Sequence, residues 1–170
     1  GEVFTGVIDI PVIDARHYLE PQLDMHHVLA SFTARSRIQR AMGNADNQVI
    51  WVADPAFDPR PTAFDVMDEW LSGSTGSSPE GNGGAARPAS AVDQCFDAEG
   101  NIIARGDDVW DGRWNAARTD GECLSRYPMY RTSRQLAGDT MRGDVFRCHR
   151  QSVDEAISAG IYGNVDMRPY

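Results

Sequence analysis

The chain has 170 residues, a 41% apolar fraction and a formal net charge of −9. That length holds one medium domain, or part of a domain with an appendage, and the apolar content is enough for a core. The acidic balance argues against nucleic acid, whose phosphates need clustered Lys and Arg, and against anionic membranes. All sixteen basic residues are arginine. Codon bias of a GC-rich genome accounts for that, with guanidinium–carboxylate pairing as the alternative.

No apolar run approaches the ~18 residues of a membrane span, and no signal-peptide pattern occurs. Gly1-Glu2 is not an initiator sequence, so a processing site or the edge of a cloned fragment is expected there. Gly1 excludes an N-terminal nucleophile, which needs Ser, Thr or Cys.

Residues 7–13 (Val-Ile-Asp-Ile-Pro-Val-Ile) read as a strand, with Pro11 suited to an entry or edge position. A loop follows, ending in Asp24-Met25-His26-His27 at the threshold of a helix. Open α/β sheets place their chemistry there, at the carboxyl end of a strand. Residues 26–42 read as that helix, with Val28, Leu29, Phe32, Ile38, Ala41 and Met42 as an apolar stripe and Gly43-Asn44 as its C-cap signal. Residues 48–53 (Gln-Val-Ile-Trp-Val-Ala) form a continuously apolar run, the mark of a buried parallel strand. Asp54-Pro55 turns the chain, and residues 62–71 read as a second helix with Thr62 as N-cap.

Residues 1–72 therefore read as β-α-β-α. Two parallel strands are too few for a stable sheet, so they are expected to need neighbours and not to fold alone. Residues 73–90 are rich in Gly, Ser and Pro and read as a linker or mobile loop. Residues 91–104 read as a hairpin turning at Glu99-Gly100-Asn101. That turn lacks the further acidic positions and closing Glu of a calcium loop. The rest of residues 91–170 reads as an irregular tail, with Trp110, Trp114, Tyr127 and Tyr130 as anchors and a short helix over residues 152–159.

Cys95, Cys123 and Cys148 lie in that tail without C-x-x-C spacing, so a zinc knuckle is not expected. One disulfide is expected, Cys95–Cys123 being preferred over pairings to Cys148, and with it an oxidising compartment, secreted or periplasmic. Free buried thiols are the alternative.

An α/β-hydrolase needs a nucleophile, a histidine base and an acid, in that chain order. No G-x-S-x-G elbow occurs, and Ser31 and Ser36 sit inside a helical pattern. A C-terminal piece of such an enzyme would carry the acid and base alone. Of His17, His26, His27 and His149, His26 and His27 fit the base best, and His26 is preferred. Asp14, Asp24 and Asp54 are the candidate acids. The ordinary readings are Asp24 as a helix N-cap beside solvated histidines, and Asp54 as a turn initiator before Pro55. The usual hydrolase places its histidine after the last strand, and no histidine follows Trp51-Val52-Ala53. A metal cluster of His17, Asp24, His26 and His27 is disfavoured, because adjacent helical residues diverge by ~100°. No cofactor motif is present.

Several stretches carry a resemblance: Pro11-Val12-Ile13-Asp14 with Tyr18-Leu19, Asp24-Met25-His26-His27 with Ser31-Phe32 and Arg35-Ser36-Arg37, and Asn44-Ala45-Asp46-Asn47-Gln48-Val49. Met67-Asp68-Glu69-Trp70-Leu71, Ala91-Val92-Asp93-Gln94-Cys95 and Gly143-Asp144-Val145-Phe146-Arg147-Cys148 add to it. The chain resembles, over nearly its whole length, the C-terminal portion of a secreted bacterial family of unknown function. Members of that family are similar to α/β-hydrolases, with tannase-like and polyester-depolymerase-like esterase relatives. The resemblance implies His26 as base and leaves the acid open. It also implies a longer N-terminal chain of the same precursor that carries the serine, and an ester substrate, less readily an amide. The expectation is the smaller subunit of a processed serine hydrolase. The rival expectation is a non-catalytic extracellular binding or stabilising module.

Overall fold

Val12–His17 (β1), Gln48–Ala53 (β2), Gln94–Phe96 (β3) and Ile102–Arg105 (β4) form one sheet in the order β1-β2-β3-β4. The structure is a computed structural model and describes residues 5–73, 86–136, 140–143 and 153–160. β1 pairs parallel to β2 with Val12 opposite Gln48 and His17 opposite Ala53. β2 pairs parallel to β3, and β3 antiparallel to β4. The fold is thus α/β with a mixed sheet, and the hairpin expected over residues 91–104 joins the same sheet as the first two strands.

β1 begins five residues later than the apolar run suggests. Pro11 has no N–H to give the ladder. Pairing starts immediately after it, where the Val12 N–H donates to Asn47 O at 2.8 Å. The strand then carries Asp14, Arg16 and His17, which a central position would exclude. β1 is an edge strand with every residue half-buried, and Asp14 and Arg16 pair along one face at 2.9 Å. β2 is the opposite case: all six residues are buried, as its unbroken apolar composition requires.

Leu29–Met42 (α1) and Arg60–Ser72 (α2) cover the two faces. Alternation along β2 sends Ile50 and Val52 one way and Val49, Trp51 and Ala53 the other. The first pair packs with Val28 and Phe32 at the start of α1 and with Cys95, Trp110, Cys123 and Tyr127. The second set packs with Ala63 and Trp70 of α2 and with Phe96. Trp51, Trp70 and Trp110 are the largest fully buried side chains. At roughly 1.5–3 kcal/mol for each large apolar side chain taken from water, these two clusters carry the fold. Tyr130, expected as an anchor, is half exposed, whereas Trp110 and Tyr127 are buried.

α2 starts at Arg60 and not at Thr62, with Pro59 in the cap position. Pro61 is therefore inside the first turn, where its missing N–H costs nothing. The short helices Glu122–Arg126 (α3), Ser133–Leu136 (α4) and Val153–Ser158 (α5) follow the hairpin. A disulfide joins Cys95 of β3 to Cys123 of α3, the pairing preferred from the sequence. Cys148 lies outside the described residues, as does most of the Gly/Ser/Pro-rich linker.

The Asp97 turn between β3 and β4 is held by its own backbone. Asp97 Oδ1 accepts N–H groups from Glu99 and Asn101 at 3.0 and 2.8 Å. The Asn101 side-chain amide, which donates to Asp97 Oδ2 at 2.9 Å, contributes most to holding the Asp97 carboxyl below its usual range, and the backbone donors add to it.

Candidate active site

The loop from β1 to α1 carries three of the sequence-derived candidates, Asp24, His26 and His27. His17 is the last residue of β1, not part of the loop. Its Nε2 lies 3.0 Å from the carbonyl oxygen of Phe57, in the turn after β2. A carbonyl only accepts, so Nε2 carries the proton, and the ring ties two strand ends together. A serine base needs that nitrogen free, so His17 is not placed as one.

Leu23 takes the left-handed conformation at φ 55° and reverses the chain. Asp24 follows. Its Oδ1 accepts the backbone N–H of His26 at 2.7 Å and lies 2.8 Å from His26 Nδ1. The carboxylate therefore fixes the Nδ1–H tautomer and leaves the Nε2 lone pair outward. The His26 backbone and side-chain donors, in that order, hold the Asp24 carboxyl below its usual range. The His26 side chain is 73% exposed.

Asp24 does not cap α1. The helix begins at Leu29, three residues later than the apolar spacing implies, and its cap residue Val28 offers no side-chain hydrogen bond. Glu20 performs the task instead. Its Oε1 accepts the Val28 N–H at 2.9 Å, and Glu20 is only 2% exposed. Burial pushes the Glu20 carboxyl above its usual range, against the pull of the Val28 N–H and of His27. No sequence rule flagged Glu20, because it stands eight residues before the group it caps, well outside a capping box.

The two adjacent histidines part company. His26 stands in solvent against Asp24, whereas His27 lines a cavity of about 180 Å³ with Glu20, Leu23, Asp24, Leu29, Tyr130 and Arg131. Glu20 Oε2 and His27 Nδ1 are both buried there with no hydrogen-bond partner among the described residues. Tyr18, next to Glu20, donates its hydroxyl to Pro128 O at 2.7 Å. Burial first, then the charges of Glu20 and Tyr130, push its phenol up to about 12.

The other candidate acids are engaged elsewhere. Asp14 holds Arg16. Asp54 Oδ1 accepts the Ala56 N–H at 3.0 Å, the turn-initiating role expected before Pro55. Ser31 is buried within α1, and its hydroxyl has no partner among the described residues. His149 lies outside those residues. Among them, no group of three or more His, Cys, Asp or Glu side chains is gathered as a metal site. No described helix is long and apolar enough to cross a membrane.

The fold is that of an α/β protein with a mixed sheet, and it carries an Asp–His pair in the loop between β1 and α1. The chain belongs to a tannase-like family of unknown function (DUF6351), whose pattern matches residues 2–167. This bears out the family resemblance drawn from the sequence. No curated protein and no solved structure shows significant similarity to it.

Proposed function

We propose that this chain is the histidine-bearing, C-terminal part of an esterase-type serine hydrolase. Its serine and oxyanion hole would reside on a longer N-terminal chain of the same precursor. The observation that carries the reading is the 2.8 Å contact of Asp24 Oδ1 with His26 Nδ1, which leaves Nε2 free in solvent, while Asp24 itself lines the neighbouring cavity. In this reading Nε2 accepts the serine proton as the serine oxygen attacks the ester carbonyl. Asp24 stabilises the imidazolium, which then protonates the departing alkoxide. The cavity lined by Glu20, Leu29 and Tyr130 receives part of the substrate.

Two further features support the reading. The outer edge of β1 has no strand beside it among the described residues, a ladder free to pair with a further strand. The buried Cys95–Cys123 disulfide fits a secreted or periplasmic protein.

The test is ester turnover by the assembled enzyme. His26→Ala is expected to lower kcat by ~10³–10⁴-fold and Asp24→Asn by a comparable factor, with melting unchanged in the histidine variant. A fluorophosphonate probe is expected to label a serine on the partner chain. Near-wild-type turnover in His26→Ala, with no serine labelled, would instead favour the binding-module reading. The high exposure of His26 speaks for that second reading.

A further inference from the structure

The far end of α1 borders a second concavity, which the hydrolase reading does not use. Gln39 lies ten residues beyond Leu29, ~15 Å along the helix from the Asp24–His26 end. Two hollows of about 220 and 460 Å³ adjoin there and share Gln39, Asp107 and Trp114. Gln48, the first residue of β2, closes the smaller one from below, at the opposite end of the strand from the candidate active site.

Two buried polar atoms at the smaller hollow lack partners. Arg35 directs its terminal nitrogens to Asp93 and to the Gln48 carbonyl, and its Nε–H has no acceptor among the described residues. Gln48 is 3% exposed, and its Oε1 has no donor among them. An unmade hydrogen bond of this kind costs ~1–3 kcal/mol. One atom donates and the other accepts. A hydroxyl, which does both, satisfies either or bridges them.

The charges narrow the choice of ligand. Arg35 pairs with Asp93, Arg87 with Asp107 at 3.6 Å, and Arg118 with Asp111 at 3.0 Å. Each of the three guanidinium groups of the two hollows thus holds a carboxylate, and the exposed Asp46 and Asp108 add two further negative charges, which repel an anionic ligand. Among the described residues no three carboxylates gather to hold a cation. Trp114 adds half-buried apolar surface common to both hollows. Gln39 and Asn115 contribute exposed amides, each with donor and acceptor. Uncharged hydrogen-bonding groups around an indole suit a ligand with a C–H face and a rim of hydroxyls.

We propose that Gln48, Arg35, Asp107 and Trp114 form a binding site for a neutral saccharide unit. The site stands independently of the hydrolase reading, because it contains neither Asp24 nor His26 and shares no residue with the cavity lined by Glu20 and His27. It would hold the chain on a glycan surface or grip the sugar portion of a larger molecule.

The experiment titrates the intact chain with glucose, galactose, xylose and cellobiose, followed by tryptophan fluorescence and by calorimetry, at low and high salt. The expected result is saturable binding of at least one sugar, insensitive to salt because the ligand carries no charge. Gln48→Leu removes the unpaired acceptor at similar volume, and Asp107→Ala removes an 86% exposed side chain. Each is expected to weaken binding roughly tenfold or more while the melting temperature holds. His26→Ala is expected to bind sugar normally, so failure of the hydrolase reading leaves this result intact. The proposal is overturned if none of the four sugars binds, if both variants bind as the parent does, or if only calcium or inorganic phosphate occupies the site.

Discussion

Arg35 on α1 grips Asp93, 58 residues further along the chain, through two nitrogens at 2.5 and 2.7 Å, and Asp93 Oδ1 also accepts the Ile50 N–H of β2 at 2.8 Å. One carboxylate thus joins helix, central strand and the approach to β3. The guanidinium lies against Phe32 and Trp114 at 5.8 and 5.4 Å from the ring centres, and both partners are buried. Removing one member leaves the other charge stranded. Asp93→Ala is expected to cost ~3–5 kcal/mol in urea unfolding. Arg35→Met with Asp93→Asn, which strands no charge, should cost clearly less. Equal losses from the two constructions would count against the pair as the joint.

Glu20 sets a pH signature. Its carboxyl titrates above the usual range in the folded chain, chiefly because it is buried. As pH rises through the ordinary carboxylate range, the unfolded chain gives up this proton first, which favours unfolding. The wild type therefore loses stability between the ordinary value and the raised one, and the loss is constant above it. Glu20→Gln keeps an acceptor for the Val28 N–H and has no proton to lose. Its stability relative to wild type should be higher near neutrality than at ~pH 3, below the ordinary carboxylate range. Melting curves at the two pH values decide it, and a difference that does not change with pH would refute the assignment.

How much of this was legible in the residues varies with what each element depends on. β2 was readable to the residue, because a strand buried on both faces must be apolar throughout and Asp54-Pro55 ends it. β1 was misplaced because its residues obey edge rules. The apolar stretch before Pro11 gave the stronger signal, yet the ladder starts after the proline and tolerates Asp14 and Arg16. The β3–β4 hairpin was visible from its turn, but its membership of the first sheet depends on contacts distant in sequence. At the candidate site, the contact of Asp24 with His26 is local and follows from their spacing in the chain. Glu20 was missed, because nothing in a run of Leu-Glu-Pro-Gln announces that its carboxylate will fold under and cap α1.

The disulfide gives a third expectation. Cys95 and Cys123 are 28 residues apart, and closing that loop constrains the unfolded chain. The chain-entropy estimate is about 3–4 kcal/mol. Cys95→Ala with Cys123→Ala should lower the unfolding free energy by about that amount, plus a contribution from lost packing between β3 and α3. Non-reducing peptide mapping of the parent should recover the Cys95–Cys123 peptide, and three free thiols would remove the prediction.

Gly6 and Gly43 form a matched pair for backbone strain. Both have positive φ, 90° and 85°. A side chain at Gly6 would collide with the Arg37 carbonyl oxygen of α1, whereas one at Gly43 meets nothing within 4 Å. Gly43→Ala should cost only the left-handed penalty, ~1–2 kcal/mol. Gly6→Ala should cost distinctly more, because the segment must also lift off the helix. Thermal melts of the two variants compare them directly, and equal shifts would show that the close approach of Gly6 to α1 contributes nothing.

Both half-cystines are closed off from solvent, at 0% exposure. Thiolate exchange requires direct attack on a sulfur atom, so a reductant reaches this bond only after β3 and α3 separate. Its reduction rate in native buffer is therefore a clock for local opening of that corner, independent of reductant concentration once opening limits the reaction. The same barrier runs in the other direction during biosynthesis. An oxidase must meet the two thiols before Tyr127 and Trp110 seal the cluster around them, so chains that collapse reduced are trapped with their thiols inside.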